Sequence, residues 1–170
     1  MNSTGSATER ARQRNELALP WDLGDWVDPA RLLEWVVTEV DRLDWTNPTL
    51  LDFQEKNPGY RPRMMLCLLT WAYAAGLFDS EEISQACFRQ GYLLAFCENR
   101  PPTASAVARF RRENRGLLKW SLVQLFKRVL KHRFRLPDSF WPAGINLYLS
   151  DSAVQRLDLA RQMDRGSSGL

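Results

Sequence analysis

Apolar side chains return along most of this chain at intervals of three and four, the period of a helix with one buried face. Leu32, Leu33, Val36, Val40 and Leu43 form the first such series, and Asp28 followed by Pro29 supplies a cap and a first turn to start it. The series stops before TNPTL. Residues 52–64, DFQEKNPGYRPRM, read as a turn-rich connection, because Asn57-Pro58-Gly59 cannot carry a helix onward and Pro62 suits the first turn of the next. A second helix is predicted over 62–75. It is apolar on nearly every side and therefore central, and Gly76 closes it.

Asp79 with Glu82 three residues later has the form of a capping box, and Ile83, Ala86 and Cys87 give the helix that follows one apolar face. Gly91 interrupts it, YLLAFC is a short apolar segment, and ENRPP breaks the chain. Thr103 caps the next helix. At 100° per residue Val107, Phe110 and Asn114 share one face of it, with Ser105, Ala108, Arg109 and Arg112 opposite. A longer helix over 117–132 buries Leu118, Leu122, Leu125, Phe126 and Val129 and leaves Lys119, Lys127, Arg128 and Lys131 in water. No alternating segment is long enough to claim a sheet, so the expected fold is all-α, a compact helical bundle.

Composition sharpens this in few places. With 45% hydrophobic residues and seven tryptophans among 170, most of the chain should fold. Residues 1–18 read as a disordered polar arm, 19–136 as the helical domain and 137–170 as a C-terminal extension. The run of 15 apolar-rich residues from Met64 to Phe78 includes Thr70 and Gly76 and is too short to span a bilayer; with no signal-like start, the expected location is the cytoplasm, away from membrane. Cys67, Cys87 and Cys97 lie in apolar contexts with no Cys-x-x-Cys pair, which together with a single histidine, His132, predicts buried reduced thiols, no metal and no cofactor.

Charge changes the picture more. The net charge is only +3, yet residues 100–135 hold eleven Lys/Arg against one acid, Glu113, while 1–99 hold nine against fifteen. A basic block in acidic surroundings is the footprint of a protein that meets phosphates. A short helix, a proline-bearing turn and a helix with small residues at its start have the order of a helix-turn-helix. Ala104, Ser105 and Ala108 would let the backbone approach a major groove, and Arg109 and Arg112 are long enough to reach guanine edges or phosphates. The candidate contacts with double-stranded DNA are Ser105, Ala108, Arg109, Arg111, Arg112, Arg115, Lys119, Lys127, Arg128 and Lys131.

Residues 60–114 resemble the InsH-type N-terminal domain of insertion-sequence DDE transposases. Tyr60, Pro62, Met65, Leu66, Tyr73, Gly76 and Ser80 match the family's opening pattern, Ile83, Ala86 and Cys87 its next helix, and Pro102, Ser105, Val107, Arg109, Phe110 and Arg111 its last. The resemblance covers about a third of the chain and implies binding to transposon-end DNA. Thr103, Ala104, Ala106 and Ala108 depart from the family's more polar positions, which implies relaxed base readout with phosphate contacts dominating.

A DDE enzyme also needs three well-separated carboxylates to hold two metal ions. Asp151 follows the alternating GINLYLSD and reads either as a relic of the first catalytic strand or, the preferred reading, as an N-cap for SAVQRLDLARQM; Asp158 and Asp164 follow too closely to complete a triad. The chain is therefore expected to be non-enzymatic by itself. The alternative class is a helical interaction module that pairs with itself or with a transposase catalytic chain. Trp21, Trp26, Phe140 and Trp141 are its candidate anchors, although packing onto the core is the preferred reading for them.

Overall fold

A computed structural model describes residues 18–56 and 61–167. The polar arm expected over 1–18 therefore falls, Ala18 apart, outside the described residues, as does the Asn-Pro-Gly-Tyr turn at 57–60. What is described is helical, with no strand among these residues. A short 3-10 turn, Leu23–Asp25, precedes eight α-helices: α1 (Pro29–Asp41), α2 (Pro48–Lys56), α3 (Pro62–Ala74), α4 (Ser80–Arg89), α5 (Gly91–Phe96), α6 (Ala104–Glu113), α7 (Arg115–Phe134) and α8 (Ala143–Ser167).

The starts of these helices follow from local chemistry. The Asp28 carboxylate accepts from the Arg31 amide at 3.2 Å, and Pro29 fills the first turn, where no amide is needed. Asp79 accepts from the amides of Glu81 and Glu82 at 2.8 and 3.1 Å. At the end of α3, Gly76 turns left-handed at φ 77 and lets the Leu77 amide reach back to the Ala72 carbonyl at 2.9 Å. A Cβ at Gly76 would also stand 3.1 Å from the Trp21 carbonyl oxygen, so both the backbone and the space favour glycine.

α3 is the axis of the core. Met65, Leu66, Cys67, Leu68, Leu69, Ala72, Tyr73 and Ala74 are all fully buried, as the all-round apolar pattern requires. α1, α6, α7 and α8 pack against it. Trp71 fastens α3 to α1 by donating its indole N–H to the Pro29 carbonyl at 2.9 Å. Val107 and Phe110 of α6 and the Leu118, Leu122, Leu125, Phe126 and Val129 face of α7 close around it, the packing that the periodicity predicts.

Two expectations are corrected. Part of the connection expected over 52–64 is helix, because α2 runs from Pro48 to Lys56; the asparagine and proline at 47 and 48 start a helix there rather than merely ending the previous one. Asp151 neither ends a strand nor caps a helix. It is an exposed residue inside the 25-residue α8, whose inward side is Leu149, Ala153, Arg156, Leu157 and Ala160. α8 packs against α3, α6 and α7 and adds Leu149, Ala153, Leu157 and Ala160 to the core.

Arg156 is the largest of the fully buried side chains. Its guanidinium donates to the carbonyls of Trp21 at 2.7 Å, Tyr73 at 2.5 Å and Pro20 at 2.7 Å, and lies 5.2 Å from the Trp21 and Phe126 ring centroids. Burial lowers its pKa to about 10. Carbonyl oxygens and ring faces, with the charge of Asp22 nearby, offset the cost of taking this cation out of water. One side chain of α8 so joins the segment before the first turn to the end of α3.

Candidate nucleic-acid interface

The candidate interface begins with α6. The Thr103 hydroxyl accepts from the Ala106 amide at 3.1 Å and fixes where the helix starts. Ala106, Val107, Phe110 and Arg111 form the buried side. Among the candidates, Ser105, Arg109 and Arg112 are exposed and fall at spacings of four and three, so they share one outward stripe; Ala108 is half-buried at its edge. The helix packed most extensively on α6 is α4, with the six-residue α5 lying between them in sequence, so the support for α6 comes from α4 rather than from its immediate predecessor.

The ten candidate residues do not form one surface. Arg111 is turned inward and pairs with Asp164 of α8, whose carboxylate also accepts from the Ser80 amide at 3.0 Å and the Ser80 hydroxyl at 2.7 Å. With 5% of its side chain exposed, Arg111 is not placed to meet a phosphate; it lies one helical turn beyond Val107, and that spacing is the signal that puts it on the buried side. Tyr73 lies beside this pair, its phenol pKa raised, by burial above all.

The remaining cations are sorted by their partners. Arg115 pairs with Asp158 at 2.6 Å, Arg128 with Glu39 at 3.4 Å, and Lys131 with Asp138. Arg109 pairs with Glu113 of its own helix at 3.0 Å. Lys127 is half-buried, its ammonium 5.7 Å from the Trp141 ring centroid. Arg128 also lies over Trp35, at 5.2 Å, so it is shared between a buried acid and a ring. Arg112 and Lys119 are exposed and have no acidic partner among the described residues.

The charge asymmetry of the sequence is therefore balanced in space only in part. Acids of α1, α8 and the α7–α8 connection meet Arg111, Arg115, Arg128 and Lys131 of the basic block, while most of the block stays outward. Sequence spacing alone did not reveal Asp158, Asp164 and Glu39 as these partners, because ion pairs between distant helices leave no local pattern. Trp26 and Trp141 are partly buried against the core, Trp26 beneath Arg133, whereas Trp21 remains half-exposed against Phe78. All three cysteines are free and buried. No helix among the described residues is long and apolar enough to cross a membrane. No protein-family model, no curated protein and no solved structure matches the chain.

Proposed function

We propose that the chain is a non-catalytic DNA-binding domain that meets duplex DNA with the outward stripe of α6, in the manner of the transposon-end-binding domains it resembles. The observation that carries this reading is the two-sidedness of α6: Val107, Phe110 and Arg111 hold it from within, while Ser105, Arg109 and Arg112 project together outward. A helix anchored on one side and presenting a small residue and two arginines on the other suits entry into a major groove. Lys119, at the start of α7, then serves as a phosphate contact, and DNA competes with Glu113 for Arg109. Two of the three acids of α8 named in the sequence support the non-catalytic part of the reading, since Asp158 and Asp164 are taken up by Arg115 and Arg111, while Asp151 stands exposed away from them.

The test is salt-titrated binding of the full chain to duplex DNA of varied sequence. Arg112→Ala is expected to weaken binding by about 1–3 kcal/mol and to reduce discrimination between sequences. Lys119→Ala is expected to weaken binding evenly and to lower the salt slope by about one unit. If both variants are folded and bind as the parent does, α6 is not the DNA-binding element. The interaction-module reading, favoured by Phe88 and Leu147 at 65% exposure each, then takes its place.

A further inference from the structure

Two stripes of side chains reach the surface next to each other on α7 and α8. Trp120, Val123 and Lys127 recur at spacings of three and four and share one side of α7; Leu147, Asp151, Val154 and Asp158 do the same on α8. Trp120 and Leu147 are exposed and both valines are half-buried, and no large apolar side chain among the described residues is more exposed than Leu147. A contact at each end sets the stripes against each other. The Lys127 ammonium lies 5.7 Å from the centroid of the Trp141 ring, just before α8 starts, and Asp158 pairs at 2.6 Å with Arg115 at the start of α7. The two helices therefore run antiparallel, and counting from these contacts sets Trp120 near the level of Val154 and Lys127 near that of Leu147.

Charge on this face is divided between its halves. The α7 stripe carries Lys127 and the α8 stripe carries Asp151 and Asp158; Asp151 is exposed and has no ion-pair partner among the described residues. Mixed signs on an apolar face disfavour a nucleic acid or a lipid headgroup as its cover, since either calls for cations throughout. A surface with apolar residues in both halves, a cation in one and acids in the other instead complements itself when turned about a two-fold axis, as an isologous interface requires. Its size suits one. Two adjacent helices over the ~30 Å of α7 offer on the order of 800 Å², the share of one partner in a standard interface.

We propose that the chain forms a two-fold dimer in which α7 of each copy lies on α8 of the other. Trp120 and Val123 of one copy then meet Val154 and Leu147 of the second, and Lys127 meets Asp151. Removal of apolar surface from water drives the association, and the charges fix its orientation. This assembly goes beyond the DNA-binding reading, and its test uses no DNA, so either can fail without the other.

The experiment measures the molar mass of the full chain by sedimentation equilibrium from about 1 μM to about 1 mM. The parent should pass from one chain to two, and no further, as concentration rises. Leu147→Glu should weaken association by about a hundredfold or more, whereas Phe88→Glu, at an equally exposed site on α4, should leave it unchanged. Asp151→Lys and Lys127→Glu should each weaken association about tenfold, and the two variants, when mixed, should pair with each other as tightly as the parent pairs with itself. Circular dichroism checks that each variant is folded. A parent that stays a single chain throughout overturns the proposal, as does a Leu147→Glu variant that associates like the parent, or a Phe88→Glu variant that does not. Failure of the two folded charge variants to pair overturns it as well, because general stickiness shows no such rescue.

Discussion

Asp158 and Asp164 stand six positions apart on α8, and each holds an arginine from the basic block, but in opposite settings. The Asp164 and Arg111 side chains are 15% and 5% exposed, and Asp164 also serves the backbone and hydroxyl of Ser80. Asp158 and Arg115 are 48% and 43% exposed and have water as an alternative partner. In the interior a lost partner leaves a charge that nothing hydrates, whereas at the surface solvent replaces it. The contrast teaches that burial, not the count of charges along the sequence, decides whether an arginine here is part of the fold or available to a ligand.

The largest expected effect is that of Asp164→Ala, which strands Arg111 and removes the acceptor at the start of α4. Stability should fall by about 3–5 kcal/mol, read from urea unfolding monitored by tryptophan fluorescence. A loss below about 1 kcal/mol would mean that Arg111 finds water, and that the two aspartates are not different in kind.

The comparison is sharpened by removing both charges at the inner site. Arg111→Met combined with Asp164→Leu should recover at least half of what Asp164→Ala loses, because a packed apolar pair carries no desolvation cost. The same unfolding measurement checks it. A double variant no more stable than Asp164→Ala would show that the bonds to Ser80, rather than the ion pair, dominate the site.

The smallest effect is expected at the outer site. Asp158→Ala should change stability by less than about 1 kcal/mol, and the difference from the parent should shrink further in 1 M salt, where exposed pairs are screened. Unfolding midpoints measured with and without salt decide this. A loss as large as that at Asp164 would break the comparison outright.

How much of this was legible in the sequence varies with the element. α3 was, because its apolar residues cover every side and leave no choice of face, and α6 was, because Thr103 marks its start and Val107 and Phe110 its inner side. α8 was harder to read. Ile145, Leu147 and Leu149 alternate like a strand, yet Ile145, Leu149 and Ala153 also fall one helical turn apart; packing selects the second pattern and leaves Leu147 exposed. A buried Arg156 in the middle of that helix hides the apolar face further. Within the candidate interface, the outward positions of Arg109 and Arg112 followed from helical geometry, whereas the pairing of Arg111, Arg115, Arg128 and Lys131 depends on acids from other parts of the fold.

The guanidinium of Arg156 also sets an order of events during synthesis. Its hydrogen-bond acceptors at residues 20, 21 and 73 leave the ribosome long before it does, and Leu149, Ala153, Leu157 and Ala160 emerge with it. Until α8 appears, the nascent chain carries an uncovered apolar flank on α3 and α7 and a strap, residues 20–21, whose carbonyls lack the Arg156 donor. Folding of this region therefore waits for α8, and the unfinished intermediate is the form that chaperones would meet.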